Sequence, residues 1–377
     1  MQPFEVAWND AKLAQVRDQI RDYRFPAETP EAGWRYGCDA AFLKQLCHYW
    51  VNELDPAAVA ATLNRHPQVL VDVDGLELHA VHVVGEAEGR RPLLLTHGWP
   101  GSVYEFWHVI EPLAFPSRHG GSPDDAFDLV IPSLPGFDFS GKPKEPIGPR
   151  TTARLFARLM QELGYARFLA QGGDWGAGVS AWLALDHPDH IRAIHLNYLL
   201  VQPDASPETE EEKAWKADFD AHQQALGAYA TLQGTRPQSL AYAMADNPVA
   251  QAAWLVERFH DWADLRDRPF DQVFSREDLV TNLMIYILND AFITSTWYYA
   301  GAMAEGVRRM PAGRRVEVPT AFAAYPDRRA PAPPRSWVER GYAVSRWVDQ
   351  PSGGHFAALE VPALFVNDLR EWGREHR

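Results

Sequence analysis

One run of five residues, Gly172-Gly173-Asp174-Trp175-Gly176, constrains this chain more than any other feature. It has the form of a nucleophile elbow, where glycines flank a residue held on a sharp strand-to-helix turn. Upstream, Arg167-Phe168-Leu169-Ala170 is a short apolar run suited to a buried strand. Downstream, Val179, Trp182, Leu183 and Leu185 give one apolar helix face. Glycines suit the flanks because the turn is strained and the following helix packs close. Aspartate stands where serine is usual. A carboxylate is already ionised at neutral pH and needs no base to attack. It suits displacement at a saturated carbon, which leaves an ester on the protein. The competing interpretation is a glycine-rich helix entry with Asp174 as its N-cap.

Two further segments weigh against that competitor. Leu93-Leu94-Leu95-Thr96 reads as a buried strand, followed by His97-Gly98-Trp99-Pro100-Gly101-Ser102. In a sheet bearing such an elbow, this loop supplies one backbone N–H of an oxyanion hole and the residue after the nucleophile supplies the other. Those would be Trp99 and Trp175. The loop also permits a cis Trp99-Pro100 bond. Near the C-terminus, Gly353-Gly354-His355-Phe356 offers a histidine in a small-residue loop before a final helix. A lone loop histidine is usually just a surface residue. Here the order nucleophile, acid, histidine is that of the elbow-bearing fold, so His355 is the candidate base.

Together these segments resemble the epoxide hydrolases of the α/β-hydrolase superfamily, specifically the microsomal-type branch with an N-terminal arm. The resemblance runs almost end to end. It includes Pro3-Phe4-Glu5-Val6, Trp34-Arg35-Tyr36-Gly37, Tyr49-Trp50, Leu63-Asn64, Asp74-Gly75-Leu76 and Pro132-Ser133-Leu134-Pro135-Gly136-Phe137, besides the three segments above. It implies attack on an epoxide carbon, then hydrolysis of the alkyl-enzyme ester to a vicinal diol.

That chemistry needs a donor to the ring oxygen, which becomes an alkoxide, and a phenol can serve. The family carries two such tyrosines in a cap over its pocket. The first lies in a segment like Gly227-Ala228-Tyr229-Ala230, which nominates Tyr229. The second lies in one like Ser295-Thr296-Trp297-Tyr298-Tyr299, where spacing favours Tyr299 over Tyr298. Half-buried structural tyrosines are the plain alternative. The histidine also needs a carboxylate to hold its tautomer and stabilise its cation. The resemblance points to Asp327, after Tyr325-Pro326, with Asp349 and Asp204 as weaker substitutes. Asp327 stands one position earlier than the family pattern, and the run on to Pro334-Arg335-Ser336-Trp337 is one residue longer. Otherwise Asp327 is a solvated loop acid paired with Arg328 or Arg329.

The expected fold is α/β: a mostly parallel sheet with helices on both faces, a helical cap insertion and an N-terminal wrapping arm. The arm spans residues 1–65, with Leu13, Val16 and Ile20 on one helix face and a break from Pro26 to Pro30. Residues 66–200 form the first part of the core. They open on a hairpin around Asp74-Gly75 that is expected to be the antiparallel sheet edge. Strand and helix then alternate, as in a parallel sheet with its site at the strand carboxyl ends. Residues 201–312 lose the strands and read as the cap. Ser206-Pro207-Glu208 is its expected first helix start, Glu208 to Glu212 a solvated cluster, and Leu279 to Tyr299 a long helical pattern. Residues 313–377 return to the core.

A net charge of −14 argues against nucleic acid and against an anionic membrane surface as partners. The substrate side is a small hydrophobic epoxide and water, and a homodimer is left open. Cys38 and Cys47 read as free thiols of a reducing compartment. The start lacks a basic and an apolar signal region, and no run of about 18 apolar residues occurs, so a cytoplasmic protein without a membrane anchor is expected. No cofactor is expected and no metal: His79 and His82 point to opposite strand faces, and Asp72 with Asp74 lacks the other ligands of a calcium loop. The rivals are a haloalkane dehalogenase with the same aspartate, and a hydrolase fold reused as a binding module. A serine esterase is disfavoured by Asp174.

Overall fold

The computed structural model describes residues 1–27, 29, 31–328 and 331–376, so Pro30 and Arg329 lie outside the described residues. One sheet contains β1 (Gln2–Phe4), β2 (Gln68–Val73), β3 (Leu76–Val83), β4 (Arg91–Thr96), β5 (Phe127–Pro132), β6 (Phe168–Gly172), β7 (Ile191–Leu196), β8 (Val316–Ala324) and β9 (Tyr342–Asp349). Their spatial order is β1-β2-β3-β5-β4-β6-β7-β8-β9. Pairings from β1 to β5 are antiparallel, and those from β5 through β4 to β9 are parallel. Successive side chains of a strand point to opposite faces. Every residue of β5 and of β6 is nevertheless buried, so both faces of the central sheet are covered. That is why these strands read as unbroken apolar runs rather than alternations.

The hairpin turns at Asp74 and Gly75, both with positive φ (56° and 79°), the pairing that matches strand twist. It is not the sheet edge. β1 pairs outside it, with Phe4 packed against His79 and Phe139. Three residues carry too little alternation to be read as a strand. His79 hydrogen-bonds Ser133 and Gln68, while His82 reaches Tyr165.

Helices Asp10–Asp22, Ala40–Asn52 and Pro56–Leu63 are capped by the side chains of Asn9, Asp39 and Asp55. Val16 and Ile20 are buried, with Leu13 partly so. Between β7 and β8 the chain is helical, through Glu210–Leu226, Ala228–Thr235, Pro237–Met244, Pro248–Trp262, Arg276–Leu288 and Ala291–Glu305. Three expectations fail here. The first helix starts at a Thr209–Glu212 capping box, not at Ser206, because the Glu212 carboxylate can accept in turn from the Thr209 N–H. Glu212 is not solvated either: it is fully buried and bound by Arg340. The Leu279–Tyr299 pattern is two helices, broken where Asp290 takes a left-handed φ of 52°.

Helix Asp174–Asp186 is buried all round from Asp174 to Leu185, rather than along one face. It is wedged between helix Pro149–Glu162 and the strands. The elbow glycines are dictated by that fit. A Cβ on Gly176 would strike the Thr96 carbonyl, and one on Gly172 would strike the Gly176 backbone.

Candidate active site

The loops that carry the site leave the carboxyl ends of β4, β6, β8 and β9, where open parallel sheets form their crevice. Asp174 caps β6 with φ of 46°, a left-handed conformation costly for a residue with a Cβ. Gly173 holds the N-cap position, so Asp174 is the first helical residue and not the cap. Its side chain sits at the positive end of the helix dipole.

The β4 loop comes from the opposite side. Trp99 N donates to Asp174 Oδ1 at 3.1 Å, and the Trp99-Pro100 peptide is cis. Trp175 is the second residue of its helix, and the first N–H groups of a helix lack intrahelical acceptors. The loop is braced from below. Leu134 N donates to His97 Nε2, so the proton is on Nδ1, which donates to the Gly98 carbonyl. Burial keeps His97 neutral, pulling its pKa to about 4. It is braced from above by helix Arg276–Leu288. Asn282 Nδ2 donates to the Pro100 carbonyl at 2.9 Å and the Tyr286 hydroxyl to that of Gly101 at 2.7 Å.

His355 closes the arrangement. Its N–H donates to the Trp262 carbonyl, and the flanking N–H groups of Gly354 and Phe356 donate to Glu360. The ring is thereby aimed with Nε2 at 3.2 Å from Asp174 Oδ2 and Nδ1 at 2.7 Å from Asp327 Oδ2. Burial on its own would lower the pKa of His355. The carboxylates of Asp327 and Asp174 outweigh it and hold the imidazolium up to about 9. Asp327 reaches this position on the turn after β8, despite its one-residue offset. The substitutes lie elsewhere: Asp204 pairs with Arg309, and Asp349 accepts from Trp347.

Tyr229 and Tyr299 come together over this group. The Tyr229 ring stacks on Trp99 at 5.2 Å, and Tyr299 stands edge-on to Trp175 at 4.8 Å. Their ring centres are 5.9 Å apart. Tyr298, on the same helix as Tyr299, instead donates to Thr152 Oγ1 of the core. Trp262 touches Trp99, Tyr229 and His355 at once. It belongs to no motif, so only the fold reveals it. Glu105 lies on the same loop system, and a lone acid inside the apolar turn Val103–Val109 was a signal that could have marked it.

Comparison with known proteins agrees with this architecture. Residues 1–106 match a family model described as epoxide hydrolase N terminus, and residues 91–375 match one described as alpha/beta hydrolase fold. The chain is 39% identical over 383 residues to a Stigmatella aurantiaca protein named "Putative epoxide hydrolase", covering 100% of this chain and 85% of that one. It is 32% identical to epoxide hydrolase 1 of Oryctolagus cuniculus, covering 98% of this chain and 88% of the relative. This chain belongs to the epoxide hydrolases of the α/β-hydrolase fold. The solved Aspergillus niger epoxide hydrolase superposes with a TM-score of 0.86 at 28% identity, over 100% of this chain and 96% of that one. Bombyx mori juvenile hormone epoxide hydrolase gives 0.87 at 26%, over 100% and 94%.

Among the described residues of this epoxide hydrolase, no group of three or more His, Cys, Asp or Glu side chains is arranged to hold a metal. No described helix is long and apolar enough to cross a membrane. Cys38 and Cys47 are free.

Proposed function

We propose that this enzyme opens its epoxide through a covalent ester on Asp174. The supporting observation is the buried chain Asp174–His355–Asp327, with the Trp99 N–H on the same carboxylate. Asp174 attacks a ring carbon. Tyr229 and Tyr299 bind the ring oxygen and relay a proton to it. In the resting site His355 is a cation held by two carboxylates. Esterification neutralises Asp174 and removes one of them. His355 then gives up its proton, which balances the one taken by the ring oxygen.

The neutral imidazole is now a base. It takes a proton from water as that water attacks Cγ of Asp174, with Asp327 holding the tautomer. The N–H groups of Trp99 and Trp175 stabilise the oxyanion. Collapse releases the diol and restores the carboxylate and the imidazolium. In this reading residues 1–65 are the arm, 201–312 the cap, and 66–200 with 313–377 the core. The aromatic walls favour a small hydrophobic epoxide, and two free thiols fit a reducing cytoplasm. Family membership favours epoxides over haloalkanes as the substrate of this aspartate.

The test is one turnover with excess enzyme in oxygen-18 water. Unlabelled diol, with label left on the Asp174 carboxylate, is expected. Label passing directly into the diol would mean that water attacks the ring, and the covalent route would be wrong.

A further inference from the structure

Glu105 lies outside the Asp174–His355–Asp327 chain, yet its carboxyl lies against the same loop. It fills the crook of His97–Ser102: a Cβ on Gly101 would stand 2.5 Å from Oε2, and the Gly98 N–H hydrogen-bonds the carboxyl. The other flank of Gly98 is Asp174. A Cβ there would come 2.6 Å from Oδ1 and 2.7 Å from Cγ, the carbon that becomes the ester carbonyl. A single glycine thus separates Glu105 from the atom that water must attack.

Ser102, Val103, Tyr104, Phe106 and Trp107 are buried, while Glu105 between them keeps accessible surface. The side chain lies deep enough in the fold for burial to dominate its electrostatics. A buried water needs two to four polar partners. The charged groups around this carboxyl are His355, Asp174 and Glu360. Burial raises its pKa to about 8, with the His355 cation pulling back and the Asp174 carboxylate pushing further.

We propose that Glu105 is a catalytic residue of the second step, holding by hydrogen bond the water that His355 deprotonates. This rests on the aspartyl-ester reading. The O–H bond of the held water breaks and its proton goes to His355 Nε2. The water oxygen bonds to Cγ of Asp174. The ester C–O bond then breaks, and its electron pair leaves on the diol oxygen, which is protonated from His355; the water's second proton passes from the new Asp174 carboxyl to His355, restoring the carboxylate and the imidazolium. The proton count of Glu105 is unchanged throughout.

The experiment is rapid-mixing single turnover of Glu105→Gln and Glu105→Ala with an aryl epoxide, with the ester followed by intact mass. Ester formation at the parent rate is expected, with hydrolysis slowed by up to about 100-fold, as for misplaced reacting groups. Ester then builds up, as it should in His355→Gln. Hydrolysis at the parent rate in both variants, or an equal slowing of both steps, overturns the proposal. Absence of any ester even in His355→Gln would instead overturn the covalent reading beneath it. Should Glu105→Ala not fold, the isosteric Glu105→Gln carries the test alone.

Discussion

Trp99 gives its backbone N–H to Oδ1 of Asp174 at 3.1 Å, although 75 residues separate the two in sequence. The contact exists because Gly98 has no side chain. A Cβ there would collide with the Asp174 side chain, whose own position is set by the buried elbow. Neither partner can retreat, so Gly98→Ala must push the amide and the carboxylate apart. A loss of kcat/KM of about 100-fold or more is expected, the scale for an ångström of misplacement. Steady-state kinetics with a thermal melt checks it; near-parent activity in a folded variant would refute the tight fit.

The charge on His355 makes stability depend on pH. Its folded pKa is raised to about 9, from an ordinary 6.5: burial opposes the rise, and the carboxylates of Asp327 and Asp174 drive it. A raised cation pKa stabilises the fold fully below the unfolded value and loses that contribution as pH climbs through the folded one. Melting temperature should therefore fall across this interval of alkaline pH. The His355→Gln variant should fall less over the same interval, since only the histidine part is removed. Identical slopes in parent and variant would show that the paired imidazolium adds no stability.

Adjacent tyrosines on helix Ala291–Glu305 should separate cleanly. Tyr298 donates to Thr152 Oγ1 within the core, whereas Tyr299 packs on Trp175 beside Tyr229. Tyr298→Phe should cost about 1 kcal/mol of stability, the usual worth of one hydrogen bond, with kcat little altered. Tyr299→Phe and Tyr229→Phe should slow ester formation, the double variant by on the order of 100-fold or more, as for loss of a general acid. Single-turnover rates and denaturant melts decide it. A larger kinetic loss at Tyr298 would reverse the assignment.

Much of this site could be read in the sequence because its parts lie on short loops with strict steric demands. Gly172 and Gly176 mark a strand–helix crossing that excludes any Cβ, and the apolar runs of β4 to β6 mark a sheet covered on both faces. Asp327 was reachable only through resemblance, since nothing local distinguishes it from a solvated acid. Other features were illegible for definite reasons. β1 is too short to show alternation. The Ser206-Pro207-Glu208 start lost to Thr209 because the return bond from Glu212 depends on where that carboxyl is buried. That site is set by Arg340, 128 residues later. Trp262 and the loop contacts of Asn282 and Tyr286 arise only when distant helices meet the core.

Those last contacts carry the remaining prediction. Asn282 and Tyr286 stand one helical turn apart and bind the successive carbonyls of Pro100 and Gly101. The Trp99 N–H that meets Asp174 lies just before them on the same loop. Removing the Tyr286 hydroxyl leaves a buried carbonyl unpaired, which costs about 1–3 kcal/mol. It also frees the loop to move relative to Asp174. Tyr286→Phe should therefore lower both stability and kcat, by roughly tenfold in rate, a fraction of what full misplacement costs. KM should change less, because the hydroxyl is spent on the loop. Tyr286→Phe with Asn282→Ala should lose more than the sum of the single variants' free-energy effects on kcat, as expected for two ties on one segment. Strictly additive losses would mean that the two side chains hold the helix in place and not the amide.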